Sequence, residues 1–405
     1  MVWILVLFDV DWEIRVDWGR LREYRVQRAV EMMKAHDLDA ILACRVENMR
    51  YLTGHRPLWW THGGNVTRNH GIISRDGEVT AFVSSGDLDR AKDTMTWLPK
   101  ENVQPLAALE DPGIIKTVVN KQFLPVFKKT GADKGRIGVD ATTMMLMTTL
   151  QKTMPSAKIV DGDQALSEAK MIKNSEEIKC MRTAATGADI ALHAAMQAID
   201  VGKRECEVLG EAMKAMYSMG MEVPQCNLIV ASGDHTCPLH RFASDRIINY
   251  GDLVFMDLGG CFNGYFSDCT RTIIFGEPTN AEKEIYRAVY GMIQEINRSL
   301  KPGITNVEFN ERVRGTLKGT KFEKYGFFGV LGHGIGTSPF ERPIVGDLAA
   351  TGEKEFKFQP GMTFSFEPGV FVQGVGGIRL ENNMTVTETG NEVFNKTPYD
   401  EKLLS

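Results

Sequence analysis

The sequence predicts a two-domain protein of mixed α/β class (α+β), with one domain over residues 1–165 and a second over residues 166–405. Three observations carry this. The chain is 405 residues long, beyond the roughly 250–300 residues at which a single core stops growing. Up to about residue 160, helical and strand-like stretches alternate. Beyond residue 165, two long amphipathic helical patterns are interleaved with β-prone runs that carry most of the chemically suggestive residues.

In the first domain, LREYRVQRAVEMMKAHDLDAILACR sets Leu21, Val26, Val30 and Met33 on a helical repeat and follows them with the apolar run Ala40 to Ala43. NHGIISRDGEVTAFVSS reads as a hairpin turning at Asp76-Gly77, and GRIGVD, residues 135–140, as a further strand. The opening MVWILVLF lacks a basic leader and runs into Asp9, Asp11 and Glu13, so it reads as a first strand or added sequence rather than a targeting segment.

In the second domain, Asn174 and Glu177 have capping-box spacing ahead of a stripe of Ile178, Met181, Ala185, Ala188 and Leu192. Thr279 and Glu282 repeat that spacing before Ile285, Val289, Met292, Ile296 and Leu300, and Lys301-Pro302-Gly303 stops the helix.

Composition narrows the function. A hydrophobic share of 43% with 24% charged residues marks a folded globular chain rather than a disordered one. The formal charge of -5 argues against nucleic acid or an anionic membrane as partner. No run approaches the roughly 18 apolar residues of a membrane span. Seven cysteines without a CxxC pair suit reduced thiols, which places the protein in the cytoplasm.

The chemistry sits in three motifs. GDLVFMDLGGCFNGYFSDCTRTIIFG, residues 251–276, reads as a hairpin that brings Asp257 and Asp268 together although 11 positions separate them. Each aspartate alone would pass for a turn residue. In FSFEPGVFV, residues 364–372, strand alternation puts Glu367 on the face opposite Phe364 and Phe366. In VGGIRLENNMTVT, residues 375–387, Arg379 and Glu381 share the face opposite Ile378 and Leu380. With His333 in LGHGIG, these residues supply four carboxylates and an imidazole, a donor set suited to hard or borderline divalent cations. Clustered buried carboxylates are costly unless protonated, paired or metal-bound, and two cations would balance four charges. The glycines around His333 leave room for close backbone approach to the site.

Taken in order, DLGG, SDCTRT, GHGIG, FEPG and GGIRLEN resemble the signature of the pita-bread metallopeptidases, which include prolidases, Xaa-Pro aminopeptidases and methionine aminopeptidases. The resemblance covers residues 165–405 strongly, and ENMRYLTG extends it more loosely to the prolidase and creatinase branch. It implies a creatinase-like N-terminal α/β domain followed by a curved antiparallel sheet flanked by helices. It also implies two divalent metal ions, drawn from manganese, iron, cobalt or zinc. Asp257 would chelate one ion, His333 and Glu367 the other, and Asp268 and Glu381 would bridge them. Solvent held between the ions would be the nucleophile, Glu367 its proton shuttle, and the substrate a small peptide bearing an Xaa-Pro bond. A homodimer is implied as well. His240, 17 residues before Asp257, matches a substrate-contacting histidine of the Xaa-Pro enzymes.

The chain departs from that pattern at Phe340, where the peptidases carry a second histidine seven places after the metal-bound one. Losing such a donor costs about 10²- to 10³-fold in rate, so His240 or Arg379 would have to substitute, or the substrate is a non-peptide small molecule. Metal-dependent dimethylsulfoniopropionate lyases lack the same histidine and have a tryptophan-bearing stretch similar to PLWWTHGGN, yet their catalytic aspartate is Pro339 here. Trp59 and Trp60 would hold a cation or simply pack. His235, Cys237 and His240 offer a rival zinc site without a fourth ligand. A metal-free creatinase-type enzyme and a non-catalytic binding module are disfavoured because every ligand position is kept.

Overall fold

The computed structural model describes residues 16–57, 66–225, 228–326 and 328–405. The N-terminal MVWILVLF and the tryptophan stretch PLWWTHGGN from Leu58 onward lie outside these residues. The chain divides into two compact units, residues 1–170 and 171–405. The boundary expected at 165 falls inside a helix, Asp163–Met171, whose apolar face (Ala165, Leu166 and Ala169) packs into the core of the first unit. Those side chains draw the helix up to Lys170 into that unit, so the chain changes unit five residues later than its composition suggests.

In the first unit the strands are β1 (Ala40–Ala43), β2 (His70–Ser74), β3 (Val79–Ser84), β4 (Val103–Leu106), β5 (Arg136–Val139) and β6 (Lys158–Asp161). They form one mixed sheet in the order β4-β3-β2-β1-β5-β6. The β2–β3 hairpin turns where expected, with Gly77 at φ 89 and its N–H donating to the Ser74 carbonyl at 2.9 Å. The first helix, Trp18–Ala35, buries Leu21, Arg25, Ala29 and Met33 rather than the stripe expected through Val26 and Val30, which are half-buried. An i, i+4 row fits the contact face better than the apolar residues alone do. Arg25 occupies it at 4% exposure with its guanidinium 5.4 Å from the Tyr51 ring centroid, an apolar stem carrying a charge onto an aromatic face.

His70 is fully buried at the start of β2, its Nε2 3.2 Å from the Val66 carbonyl, and burial pushes its pKa down to about 4. The folded form thus stays neutral below the ordinary imidazole range, while the unfolded chain protonates near pH 6.5. Between those values the unfolded state binds more protons, so stability falls as pH drops from about 6.5 to about 4. Urea midpoints measured across this window are expected to fall on the acid side, and to fall less in His70→Gln; equal slopes would count against the argument.

The second unit contains β7 (Val223–Pro224), β8 (Ile229–Ser232), β9 (Asp252–Leu258), β10 (Gly260–Phe262), β11 (Tyr265–Phe266), β12 (Cys269–Phe275), β13 (Gly332–Gly334), β14 (Glu341–Val345), β15 (Thr363–Phe366), β16 (Gly369–Val372), β17 (Gly376–Arg379), β18 (Asn382–Val386) and β19 (Asn391–Val393). The recorded strand pairs here are antiparallel: β12-β9-β8, β11-β10-β7, β14-β13-β15-β18-β19 and β16-β17. Both capping boxes form. Asn174 Oδ1 accepts from the Glu177 N–H at 2.9 Å and opens Ser175–Ala198. Thr279 Oγ1 accepts from the Glu282 N–H at 3.3 Å and opens Asn280–Ser299. The first of these helices packs Ala188, Leu192 and Ala195 against Val230, Val254 and Met256 of β8 and β9. The second packs Ile285, Val289, Met292 and Ile296 in one cluster with Phe364, Phe366, Ile378 and Leu380. The polar faces of the same strands are thereby left for a site. Among the described residues no helix is long and apolar enough to cross a membrane.

Candidate metal centre

The hairpin of β9 and β12 pairs Asp257 with Thr270 and Leu258 with Cys269, so Asp268 follows one step beyond the paired run. Its tip turns at Asn263 and Gly264, both with positive φ, 49 and 84, the geometry that an Asn-Gly turn favours. β13 sets His333 opposite Ser365 of β15, and β15 sets Phe366 opposite Asn382 of β18. Glu367 and Glu381 therefore stand at adjacent strand ends, and Arg379 closes β17 opposite Gly369. Phe364, Phe366, Ile378 and Leu380 are all in the apolar core, as the alternation requires.

Among the described residues, ligand atoms of Asp268, His333 and Glu381 all lie within 4.8 Å of one another. Glu367 Oε1 is 3.8 Å from His333 Nε2. Arg379 Nη1 donates to Glu367 Oε2 at 2.8 Å, and its Nη2 donates to Asp257 Oδ2. Asp257, Asp268, His333, Glu367 and Arg379 line a cavity of about 390 Å³, together with Gln225, Ile229, His240, Arg241, Phe242, Pro339 and Phe340.

Electrostatics mark the cluster as one built for added positive charge. Burial raises the Glu367 pKa, against the pull of Arg379. Burial, and then the charge of Asp257, push Glu381 up to about 7. Burial opposes the charge on Arg379, but Asp257 and Glu367 lead the carboxylates that hold its pKa above the ordinary value. His333 is pushed down by burial and so stays neutral. Its Nδ1 lies 3.0 Å from the Gly334 carbonyl, which assigns the proton to Nδ1 and leaves the Nε2 lone pair facing the carboxylates. Asp257 Oδ1 is buried without a hydrogen-bond partner. An orphaned carboxylate oxygen, a directed imidazole lone pair and four acids sharing Arg379 fit a divalent cation site, and one guanidinium does not neutralise them.

Several residues around the site were not singled out by the motifs. Glu381 is held by two hydroxyls, Thr270 Oγ1 at 2.6 Å and Ser365 Oγ at 2.7 Å, and Gln225 Nε2 donates to Asp268 Oδ1 at 2.8 Å. Arg271 is fully buried and donates to the carbonyls of Thr270, Glu381 and Thr397 at 2.6–3.0 Å. Thr270 and Ser365 lie in SDCTRT and FSFE, where alternation alone would have pointed them inward; for Gln225 no local pattern exists.

The glycines flanking His333 answer to the sheet more than to the cavity. A Cβ on Gly332 would come within 2.4 Å of the Ser365 carbonyl oxygen, and one on Gly334 within 2.7 Å of the Arg342 carbonyl oxygen. Close approach by β15 on one side and β14 on the other thus excludes side chains. Gly332→Ala is expected to cost about 1–3 kcal/mol through overpacking, read as a lower urea midpoint; an unchanged midpoint would show that β13 and β15 can part freely.

Phe340 is 52% exposed and stacks on His333, ring centroids 4.1 Å apart and planes at 27°. Its loop is anchored by Glu341, which accepts from Thr337 Oγ1 and the Ser338 N–H, each at 3.1 Å, and pairs with the buried Lys173 at 2.9 Å. The rival soft site does not assemble. His235 turns its Nδ1 to the buried Glu205 at 3.2 Å, and Cys237 Sγ faces Gln373, while His240 lines the cavity.

Comparison with known proteins agrees with this geometry. The model of metallopeptidase family M24 matches residues 179–388, and that of the creatinase/prolidase N-terminal domain matches residues 25–172. The Xaa-Pro dipeptidase of Pyrococcus furiosus is 31% identical over 375 residues, covering 92% of this chain and 98% of the relative. The prolidase structure from Pyrococcus horikoshii aligns with a TM-score of 0.77 at 28% identity, over 93% of this chain and 99% of that one. The Xaa-Pro dipeptidase structure from Bacillus anthracis aligns with a TM-score of 0.78 at 27% identity, over 93% and 98%. The M24 match spans all five acid and imidazole residues of the cluster, and with the prolidase-type domain ahead of it the chain belongs to metallopeptidase family M24.

Proposed function

We propose that this metallopeptidase is a dinuclear hydrolase of short peptides with an Xaa-Pro bond, working in the cytoplasm as a homodimer. The observation that supports the proposal is that Asp257, Asp268, His333 and Glu367 line one cavity, with Glu381 clustered against Asp268 and His333 and with Asp257 Oδ1 and His333 Nε2 left without a hydrogen bond. Asp257 would hold one ion, His333 and Glu367 the other, and Asp268 and Glu381 both. Manganese, iron, cobalt and zinc all suit the set. Bound there, two divalent cations would lower the pKa of water and stabilise charge on a carbonyl oxygen.

The chain's own groups do the rest. Glu367, whose Oε1 lies 3.8 Å from His333 Nε2 at the cavity wall, would take the proton from the attacking water and return it to the leaving amine. Arg379 keeps Glu367 and Asp257 oriented and, as a fixed cation, favours the developing oxyanion. His240 at the cavity wall would contact the substrate. Ile229, Phe242, Pro339 and Phe340 give the cavity the apolar surface that a proline ring and its neighbour need. The alternative of a non-peptide small molecule rested on Phe340, and the relatives compared above, named as dipeptidases and prolidase, lend it no support.

Metal content after purification without added metal, followed by assays on Xaa-Pro dipeptides, longer Xaa-Pro peptides and dimethylsulfoniopropionate, tests the reading. Proline release that chelation stops and divalent metal restores is the expected result. Volatile sulfide without proline release would overturn it. A single mass at twice the chain mass in size-exclusion chromatography with light scattering is expected for the dimer.

A further inference from the structure

Glu205, at the start of the helix Glu205–Ser218, is a fully buried carboxylate with no place in the chemistry above. Its oxygens collect donors from two distant points of the chain. Oε1 accepts from the Ser232 N–H at 2.7 Å and Ser232 Oγ at 2.9 Å, while Oε2 accepts from the Ser244 N–H at 3.1 Å and Ser244 Oγ at 2.6 Å. Ser232 ends β8 and Ser244 lies 12 residues on, so this one carboxylate joins the two stems of the loop 233–243. His235, inside the loop, turns Nδ1 toward it at 3.2 Å.

Backbone contacts strengthen the same stem. The Cys206 N–H donates to the Ser244 carbonyl at 2.9 Å and the Glu205 N–H to the Arg246 carbonyl at 3.1 Å. Arg246 Nη1 donates to Ser232 Oγ at 2.6 Å and Asp252 Oδ2 at 2.7 Å. On its far side the loop touches the strand that carries Arg379, where Thr236 Oγ1 accepts from the Gly377 N–H at 2.9 Å. The loop's tip supplies His240, Arg241 and Phe242 to the cavity, and all three are exposed there.

We propose that Glu205 is a positioning residue whose carboxylate closes the stem of the 233–243 loop and so sets where His240, Arg241 and Phe242 meet the substrate. Desolvation works against an ionised Glu205, but the Ser244 and Ser232 donors more than offset it and hold its pKa below the ordinary value, as four donors to one carboxylate should. None of the clasp's hydrogen bonds falls on the five residues assigned to the ions, so its effect is expected on substrate binding before the metal centre. The kinetic half of this inference rests on the peptidase reading; the structural half does not.

Metal-loaded wild type, Ser244→Ala and Glu205→Gln are compared by hydrogen exchange of the 233–243 amides, metal content, and KM and kcat on an Xaa-Pro dipeptide. Ser244→Ala removes one charge-assisted donor and should raise exchange in the loop and KM by roughly tenfold, with kcat and metal content within about twofold of wild type. Glu205→Gln faces an amide N–H toward donors and should do more. In a background with His240, Arg241 and Phe242 all replaced by alanine, Ser244→Ala should add nothing further to KM, since the groups it positions are gone. Unchanged loop exchange in Ser244→Ala overturns the proposal, as does loss of metal or of kcat at constant KM. Should wild type cleave no Xaa-Pro dipeptide, the peptidase reading fails and the exchange arm still decides the clasp.

Discussion

Glu381→Ala is expected to abolish turnover and metal retention together while the chain stays folded. The side chain is 0% exposed and its two oxygens are fixed by Ser365 and Thr270, so it is oriented before any ion arrives. Burial first, and then the charge of Asp257, push its pKa up to about 7; a divalent cation would make the ionised form favourable. Removing it takes away a ligand shared by both proposed ions, and several kcal/mol of charge stabilisation corresponds to about 10³-fold or more in rate. Folding should survive, because a buried group that repels its neighbours contributes little to stability without metal. Metal analysis, kcat/KM and a thermal melt on the same preparation test all three statements. Full turnover in the variant would remove Glu381 from the ligand set.

Phe340→His is expected to raise kcat, by about tenfold to a hundredfold. The aromatic ring covers one face of His333 and borders the cavity, but offers only C–H groups where a hydrogen-bond donor would help polarise a scissile carbonyl. Restoring a donor at a prepared position recovers part of the 10²- to 10³-fold that such groups contribute. The position is prepared because the loop hangs on Glu341 and its buried pairing with Lys173, not on the Phe340 ring itself. The gain should appear in kcat more than in KM, since it concerns charge that develops during reaction. A fall in kcat at constant metal content would mean that the ring is needed as an apolar surface and that the enzyme has dispensed with the donor.

Much of the site could be read from the chain because strand alternation is a local rule. Once Phe364 and Phe366, or Ile378 and Leu380, are assigned to a core, Glu367, Arg379 and Glu381 have only the other face to occupy. The two capping boxes are equally local, and both helices begin where their spacing says. Contacts between distant segments leave no such trace. Gln225 reaches Asp268, and Glu205 reaches Ser232 and Ser244, with no period linking them. The flanking glycines of His333 suggest room for backbone approach to the site, whereas the backbones that crowd them belong to the neighbouring strands and depend on the order of β14, β13 and β15. Arg25 misled in the opposite direction: a charge within a buried row is invisible until Tyr51 is known to lie beside it.

Arg271 gives the segment around Thr397 an unexpected importance. Two of its nitrogens grip the Thr397 carbonyl while a third steadies the Glu381 main chain, and Asp189 fastens the same threonine through its N–H and hydroxyl. Clipping by a protease just before Thr397 would remove no acid or imidazole from the cluster. It would nevertheless take away the acceptor shared by two of the Arg271 nitrogens and so loosen the arginine that steadies the Glu381 peptide, which should lower activity from behind the sheet.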